Sequence, residues 1–235
     1  MEAIILAGGL GTRLQSRLHD LPKAMAPVGG RPFLQILLDR LIDAGCERVI
    51  LSVGHLRGAI IDCFGNAYRG TPLAYAAEEI PLGTGGAIRR ALKRVHEDAV
   101  LVLNGDTVLN ADYAQLLRAH RDGGQPLTLA VTEVEDVARY GGVVVEQGRV
   151  AGFMEKDRTG SGWINGGTYV LDREFPWPAH LAERFSFETD LLATHVELIR
   201  PTAFLCSGYF LDIGVPEDLD RAQNELAGLD VTRRD

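Results

Sequence analysis

The beginning of the chain brings glycines and an arginine together. The stretch "AIILAGGLGTRL" leads an apolar run into three glycines, Gly8, Gly9 and Gly11, and Arg13 follows them. Glycines let a backbone approach a phosphate chain closely with free N–H groups, and a guanidinium binds phosphate oxygens through paired hydrogen bonds. The segment therefore predicts a phosphate-binding loop, although a tight turn alone can also account for the glycines.

Lys23 stands a few residues further on, in "PKAMAP", between Pro22 and Pro27. The prolines restrict the backbone on either side of it, which favours a cation held in one place. A lone lysine is otherwise typical of a protein surface. The residues alone leave both interpretations open.

Two aspartates close apolar segments that are far apart in the sequence. Asp106 ends "VLVLNGDT" and Asp212 ends "YFLDIG". Because Mg²⁺ binds to one or two carboxylates together with phosphate oxygens, these aspartates predict a metal site beside the glycine loop. The alternative for such a residue is a turn or the N-cap of a helix, and Asp112 fits the N-cap role.

A second glycine-rich segment reads "EEIPLGTGGAI". Its glycines, Gly83, Gly85 and Gly86, either permit close approach of a ligand or form a plain loop. Glu78, at the start of the segment, is either a solvated charge or an acceptor for the edge of a nucleobase. A carboxylate can take the two adjacent donors of guanine, whereas uracil and thymine offer one, so the segment favours guanine.

Polar residues in the later part of the chain suit a sugar phosphate. "GFMEK" supplies Glu155 and Lys156, and "INGG" supplies Asn165 and Gly166. Glutamate and asparagine are natural partners for sugar hydroxyls, and lysine is one for a phosphate. Glu188, in "SFETDLL", either faces the same pocket or acts as the capping-box partner of a helix start.

The elements that must position these residues alternate between strand and helix. Predicted strands are "AIILA", "RVILSV", "LAYAAE", "AVLVLNGD" and "PLTLAVTEV", and the helices between them are "PFLQILLDRLIDAG", "LRGAIIDCFG", "GGAIRRALKRV" and "DYAQLLRAHRDGG". This alternation predicts an α/β fold with a doubly wound, mostly parallel sheet that helices cover on both faces. Ligands of such sheets bind beyond the carboxyl ends of the strands, where the glycine loop and Asp106 lie.

The rhythm changes after Gly141. "GGVVVEQGRVAGFMEK" predicts a hairpin turned at Gln147-Gly148. The later predicted elements are strands in "INGGTYVL" and "TAFLCSGYFLDIG", a helix in "SFETDLLATHVEL", and a last helix in "PEDLDRAQNEL" that starts at Pro216. We therefore expect one domain, with a core over about 1–135, a smaller hairpin-bearing lobe over about 136–200, and a segment 201–230 that completes the core.

Composition excludes several classes of function. The chain has 235 residues and a net charge of −8, which argues against nucleic-acid binding and against anionic membranes. Cys46, Cys63 and Cys206 match no metal-binding or disulfide spacing, which is typical of reduced thiols in a cytoplasmic protein. We expect neither a signal peptide nor a membrane span. A homodimer is plausible.

Taken together, the segments resemble the sugar-1-phosphate nucleotidyltransferases. The matching pieces are "LAGGLGTRL", "PKAMAPVGGRP", "PLGTGGAI", "NGDT", the "EK" at 155–156, "INGGTYVL" and "FLDIG". They follow the family order over nearly the whole chain. The resemblance implies the Rossmann-like nucleotide-diphospho-sugar transferase fold with a sugar-binding lobe. It also implies transfer of a nucleoside monophosphate from a nucleoside triphosphate to a sugar 1-phosphate, with Mg²⁺ as cofactor and pyrophosphate as the second product.

The same resemblance assigns roles to individual residues. The nucleotide site comprises Leu6, Ala7, Gly8, Gly9, Gly11, Thr12, Arg13, Lys23, Glu78, Gly83, Thr84, Asn104 and Gly105, the sugar site Gly142, Glu155, Lys156, Asn165, Gly166 and Glu188, and the metal site Asp106 and Asp212. The residues implied in catalysis are Arg13 on the β and γ phosphates, Lys23 toward the α phosphate, Lys156 on the sugar phosphate, and Asp106.

Within the family, "EEIPLGTGG" looks like the guanylyltransferase branch. Together with "INGGTYVL" and "RFSFETDLL" it implies GTP and D-glycero-α-D-manno-heptose 1-phosphate as substrates, with GDP-heptose made for surface polysaccharide such as a capsule. Enzymes that use mannose 1-phosphate, or UTP in place of GTP, share much of the pattern and remain the alternatives.

Two other classes of function compete with this interpretation. A non-catalytic sensor of nucleotide sugars would be expected to lose a catalytic cation or a metal ligand, and all four of Arg13, Lys23, Asp106 and Asp212 are present. An NAD-dependent dehydrogenase needs a third glycine where Leu14 stands. It also needs an acidic residue after the second strand, where "RVILSV" is followed by glycine and histidine.

Overall fold

A computed structural model describes residues 1–9, 11–18, 20–154 and 159–226 of the chain. Fourteen strands are present in these ranges. They are β1 (Glu2–Leu6), β2 (Pro27–Val28), β3 (Arg31–Pro32), β4 (Arg48–Val53), β5 (Ala67–Tyr68), β6 (Thr71–Ala77), β7 (Ala99–Asn104), β8 (Thr107–Leu109), β9 (Leu127–Val134), β10 (Val143–Glu146), β11 (Arg149–Phe153), β12 (Gly162–Asp172), β13 (Thr202–Cys206) and β14 (Phe210–Asp212).

The helices follow the predicted alternation. They are α1 (Gln15–Leu18), α2 (Phe33–Asp43), α3 (Arg57–Phe64), α4 (Gly83–Leu92), α5 (Tyr113–Gly123), α6 (Thr194–Ile199) and α7 (Pro216–Glu225), with short 3-10 turns at Thr12–Leu14 and Lys23–Met25 and a π-helix at Phe187–Ala193. Asp112 is the N-cap of α5, where its side chain accepts from the Gln115 N–H at 2.9 Å, as predicted.

Ten strands form one sheet in the order β10-β11-β13-β9-β12-β7-β1-β4-β6-β5. Strands β7, β1, β4 and β6 are parallel neighbours, which confirms the predicted parallel core. Strand β12 enters between β7 and β9 and runs antiparallel to both. The fold is α/β with a mixed, mostly parallel sheet.

Helices cover both faces of this sheet, so the predicted double winding is confirmed. Ile4 of β1 belongs to one core cluster together with Ile88 of α4. Its neighbour Ile5 belongs to the opposite cluster together with Leu37 of α2. Successive residues of a strand point to opposite faces, so a strand buried on both sides must be apolar throughout.

The predicted hairpin is present and turns at Gln147-Gly148, whose φ values are +49° and +73°. Positive φ at both central residues is typical of the tight turn that matches the twist of a two-residue hairpin. Strand β11 pairs with β13, so the hairpin extends the edge of the large sheet. The division into a core and a sugar-binding lobe stays a prediction.

The predicted continuous strand "TAFLCSGYFLDIG" is wrong, because the segment breaks into β13 and β14. A Cβ on Gly208 would lie 2.1 Å from the Asn110 carbonyl oxygen, and the Asn110 N–H donates to the Tyr209 carbonyl at 2.7 Å. This close crossing turns the chain out of the large sheet. Strand β14 then pairs with β8 in a separate antiparallel ribbon.

The helix predicted over "SFETDLLATHVEL" begins as the π-helix and continues as α6. Its start is capped by Ser186, whose side chain accepts from the Thr189 N–H at 3.2 Å. Asp190 accepts in return from the Ser186 N–H at 2.7 Å. The reciprocal cap therefore uses Asp190, which leaves Glu188 free for another role.

None of the helices in the described part of the chain is long and apolar enough to cross a membrane.

Candidate active site

Three strand ends meet at the carboxyl edge of the sheet. Leu6, the last residue of β1, lies opposite Ser52 of β4 and Asn104 of β7. The Gly105 N–H donates to the Leu6 carbonyl at 3.1 Å. A Cβ on residue 105 would lie 2.3 Å from that carbonyl oxygen, so this approach requires glycine. The parallel sheet thus brings the glycine loop and the loop that carries Asp106 together, as predicted.

A cavity of about 410 Å³ opens at this edge. Its walls come from the loop after β1, the end of β4, the segment 78–87 and the loop after β7. The lining residues are Leu6, Gly8, Gly9, Gly11, Ser52, Glu78, Pro81, Gly83, Thr84, Ala87, Asn104, Gly105 and Asp106. Glycine backbone and apolar carbon make up most of this wall, which suits a ligand with a flat apolar part and a phosphate chain.

Most residues predicted to bind a nucleotide line the cavity, and a few do not. Ala7 is buried, and its N–H donates to the Ser52 carbonyl at 2.8 Å. Arg13 is exposed on the 3-10 turn and is absent from the lining among the described residues. The side chain of Thr12 lies outside the described part of the chain.

Sequence reasoning missed three lining residues, Ser52, Pro81 and Ala87. A signal for Ser52 was available, because it is the only polar residue that follows Arg48 in the strand "RVILSV". Pro81 and Ala87 belong to a segment already assigned to the ligand, but apolar residues in a loop carry no comparable signal.

Glu78 faces the glycine loop instead of solvent. One carboxylate oxygen, Oε2, accepts from the Leu82 N–H at 2.8 Å, and Oε1 accepts from the Ser52 hydroxyl at 3.3 Å. A Cβ on Gly8 would lie 3.4 Å from Oε1. Because a carboxylate has about four lone-pair sites, Glu78 keeps two of them for donors of a ligand.

Lys23 is a fixed, buried cation, with 9% of its surface exposed. Its ammonium forms an ion pair with Asp106 and lies 3.8 Å from Oδ1 of Asp212. Of the two interpretations that the sequence left open, the surface lysine is therefore wrong. The 3-10 turn Lys23–Met25 and the flanking prolines hold the side chain in this position.

The pairing of β14 with β8 in the small antiparallel ribbon brings Asp212 close to Asp106. In that ribbon Asp212 lies opposite Thr107, and the Ile213 N–H donates to the Asp106 carbonyl at 2.9 Å. Burial, together with the neighbouring Asp106 charge, raises the pKa of Asp212, while the Lys23 ammonium opposes that rise. Two aspartates 106 residues apart in sequence are thereby brought to one point.

The aspartate pair fits a magnesium ion. Oδ1 of Asp212 is buried and accepts no hydrogen bond within the described residues, so one oxygen is available for a ligand. The described part of the chain holds no cluster of three or more acidic, histidine or cysteine side chains that could bind a metal. Mg²⁺ needs only one or two carboxylates, because water and substrate phosphates complete its coordination.

Residues predicted for the sugar meet around Glu188. Its Oε2 accepts from the Thr84 hydroxyl at 2.6 Å, and its Oε1 accepts from the Tyr169 hydroxyl at 3.4 Å. Asn165 donates to the Tyr169 oxygen at 2.9 Å. Glu188 therefore adjoins the cavity wall at Thr84 and serves no capping box.

The other predicted sugar residues are placed less centrally. Gly142 forms an isolated bridge with Ile164 at the start of the hairpin, and its carbonyl accepts from the Met154 N–H at 2.8 Å. A Cβ on Gly166 would lie 2.7 Å from a methyl carbon of Leu109, so glycine is needed for packing there. Glu155 and Lys156 lie outside the described residues.

Comparison with known proteins decides the family. Residues 2–228 match the family described as Nucleotidyl transferase. The chain belongs to the nucleotidyl transferase family. The match spans the segments that line the cavity and the two aspartates, Asp106 and Asp212.

Two curated relatives of this nucleotidyl transferase carry the same name, D-glycero-alpha-D-manno-heptose 1-phosphate guanylyltransferase. The protein from Aneurinibacillus thermoaerophilus is 41% identical over 96% of this chain and 98% of its own. The one from Campylobacter jejuni is 42% identical over 93% of this chain and 96% of its own. Among solved structures, HddC from Yersinia pseudotuberculosis complexed with GMP-PN has a TM-score of 0.82 and 38% identity, covering 96% of this chain and 99% of that one.

Proposed function

We propose that this nucleotidyl transferase is a guanylyltransferase that converts GTP and D-glycero-α-D-manno-heptose 1-phosphate into GDP-heptose and pyrophosphate. The observation that carries the proposal is the arrangement of the glycine-lined cavity, with Glu78 in its wall and Asp106 paired to a buried lysine at the same edge. The names of the two relatives and of the GMP-PN complex support guanine and the heptose.

The chemistry requires little covalent help from the protein. A phosphate oxygen of the sugar 1-phosphate, already an anion, forms a bond to the α-phosphorus of GTP. The bond from that phosphorus to the bridging oxygen of the β-phosphate breaks, and pyrophosphate leaves. Because both partners are polyanions, the main task is to hold them in line and to neutralise their charge.

The described residues divide this task. The N–H groups of Gly8, Gly9 and Gly11 bind the triphosphate, and Lys23 neutralises charge at the α-phosphate. Arg13, exposed beside the loop, is long enough to fold over the β and γ phosphates, where its charge stabilises the leaving pyrophosphate. Lys156, which lies outside the described residues, is the cation that we propose for the sugar phosphate.

Asp106 and Asp212 hold Mg²⁺ in this proposal. A bound Mg²⁺ supplies positive charge to the phosphate oxygens as negative charge shifts toward the leaving group. Oδ1 of Asp212, which is buried and accepts no hydrogen bond within the described residues, and the adjacent Asp106 are the ligands that we propose.

The cellular setting follows from the chemistry of the product and of the thiols. GDP-heptose is an activated sugar, so we propose that it supplies surface polysaccharide such as a capsule. Cys46, Cys63 and Cys206 are free thiols, which supports a cytoplasmic enzyme. The homodimer stays a prediction.

A panel of substrate pairs tests the proposal. Pyrophosphate release is measured with Mg²⁺ across GTP, ATP, UTP, CTP and dTTP, each paired with the heptose 1-phosphate and with mannose 1-phosphate. We expect turnover with GTP and the heptose. A preference for UTP or for mannose would keep the enzyme class and overturn the substrate assignment, and no release from any pair would favour a sensor.

Glu78→Gln tests the recognition of guanine. We expect KM for GTP to rise by about 10–10², because a hydrogen bond to a charged acceptor contributes about 1.5–3 kcal/mol. ITP lacks the 2-amino group, so its KM changes less, and the ratio of kcat/KM for GTP over ITP falls.

Glu79→Gln is the matched control for this substitution, since Glu79 is exposed and pairs with Arg57 on the surface. The control is expected to keep the wild-type preference for GTP over ITP. An unchanged preference in Glu78→Gln would remove Glu78 from base recognition.

A further inference from the structure

The Thr84 hydroxyl makes two hydrogen bonds with the segment that follows Phe185. It donates to Oε2 of Glu188 at 2.6 Å and accepts from the Phe187 N–H at 2.8 Å. Thr84 also lines the cavity, so it belongs to the wall of the nucleotide site. Its hydroxyl donor is thus committed to Glu188 while the residue itself forms part of the cavity wall.

The glycine-rich turn and this segment are joined tightly. The Gly85 N–H donates to the Phe185 carbonyl at 3.0 Å, and the Phe185 N–H donates to the Leu82 carbonyl at 3.0 Å. A Cβ on Gly85 would lie 2.1 Å from the Phe185 ring, and a Cβ on Gly83 would lie 2.4 Å from the Phe185 carbonyl oxygen. The two stretches are therefore packed together with no room for a side chain at Gly83 or Gly85.

Three hydroxyl donors fix the Glu188 carboxylate. Thr84 and Ser186 donate to Oε2 at 2.6 Å and 3.2 Å, and Tyr169 donates to Oε1 at 3.4 Å. A carboxylate has about four lone-pair sites, so the one that remains is on Oε1. Glu188 can then accept one further donor, which suits a single sugar hydroxyl.

The hydrogen bonds continue to the predicted sugar residue Asn165. Burial and the Glu188 carboxylate raise the pKa of the Tyr169 phenol, so Tyr169 stays protonated and donates. Asn165 donates to the Tyr169 oxygen, and its own carbonyl oxygen accepts from the Gly167 N–H at 2.9 Å. One N–H and one lone pair of Asn165 remain for a ligand.

We infer that Thr84 is a positioning residue for the sugar 1-phosphate, although it lies in the wall of the nucleotide site. Its hydroxyl orients Glu188 so that Oε1 accepts one sugar hydroxyl, and its backbone ties that orientation to the turn that contacts the nucleotide. The inference rests on the proposed function, because it requires a sugar phosphate as the second substrate.

Thr84→Val tests this role, since valine keeps the shape and the methyl group and removes the hydroxyl. We expect KM for the sugar 1-phosphate to rise by about 10–10², because the carboxylate loses its shortest charged hydrogen bond. KM for GTP is expected to stay within about threefold, as the wall of the cavity is preserved. Thr84→Ser restores the hydroxyl and is expected to restore KM for the sugar phosphate.

A double-mutant cycle separates positioning from general damage. In a Glu188→Ala background, which has no side-chain acceptor for the Thr84 hydroxyl, we expect Thr84→Val to add less than about threefold, since the two residues act through one hydrogen bond. Independent, multiplying effects would overturn the inference, as would a wild-type KM for the sugar phosphate in Thr84→Val.

Control variants distinguish the effect of the Thr84 hydroxyl from general damage to the segment. Thr194→Val removes a hydroxyl that donates to the Thr189 carbonyl at 3.0 Å on the same segment, and it is expected to behave as wild type. If Thr84→Val does not fold, Thr84→Ala compared with Thr84→Ser isolates the hydroxyl in a smaller side chain. A wild-type protein that turns over no substrate pair overturns the proposed function, whereas normal wild-type turnover with an unaffected variant overturns this inference alone.

Discussion

Replacement of Asp106 by asparagine is expected to lower kcat by about 10²–10³, the usual loss when a group that stabilises transition-state charge is removed. Asn keeps the size of the side chain and removes the negative charge that Lys23 and the metal both require. Steady-state pyrophosphate release at saturating GTP and sugar phosphate measures the effect. The melting temperature checks that the fold is retained.

Asp112→Asn is the matched control for Asp106→Asn. Asp112 caps α5 on the loop that follows β8, and asparagine caps helices about as well as aspartate. We expect this control to keep wild-type kcat and stability. Near-normal turnover in Asp106→Asn would remove Asp106 from the metal site and leave Asp212 as the remaining described ligand of the proposed pair.

The cavity could be predicted from the sequence because its parts follow buried strands. A strand covered on both faces must be apolar throughout, so the apolar runs in "AIILA" and "AVLVLNGD" locate β1 and β7, which end at Leu6 and Asn104, to within two residues. Parallel strands end at one edge, which places Gly8 and Gly105 together. Predicting these positions needs only the local hydrophobic pattern and the rule that ligands bind beyond the carboxyl ends of parallel strands.

The proximity of Asp106 and Asp212 depends on contacts between distant segments, which no local sequence pattern contains. Asp212 was proposed from its place at a strand end, but the strand itself was predicted as continuous with "TAFLC". The separation of β14 comes from the crossing of Gly208 over Asn110, a contact between distant segments. Burial of Lys23 has the same origin, because its partners Asp106 and Asp212 come from other parts of the chain.

The hydrogen-bond partners of Glu188 could not be predicted from the capping motif in the sequence. The spacing from Ser186 fits several helix starts, and only the structure shows that Asp190 completes the cap. The sequence left Glu188 open between the sugar pocket and a capping box, and the π-helix over Phe187–Ala193 is not signalled by any motif in the segment. Ser52 was missed for a related reason, since a single serine in an apolar strand also suits a packed core.

Lys23→Met is expected to change two measurements in opposite directions. The substitution keeps an unbranched side chain and removes the cation that lies between Asp106 and Asp212. Turnover is expected to fall by about 10²–10³, because the charge at the α-phosphate is lost while the two carboxylates remain. Mg²⁺ binding to the nucleotide-free protein is expected to tighten by about tenfold, since the carboxylates no longer have an internal counter-ion.

Calorimetric titration of Mg²⁺ into the nucleotide-free protein provides a readout that is independent of activity. Lys93→Met serves as the control, because Lys93 is exposed at the end of α4 and should affect neither turnover nor metal binding. A wild-type kcat in Lys23→Met would exclude Lys23 from charge stabilisation. Unchanged Mg²⁺ affinity would mean that the ammonium and the ion do not share the two aspartates. Both changes together would assign Lys23 two roles, as counter-ion of Asp106 and Asp212 in the ion-free protein and as a cation for the α-phosphate.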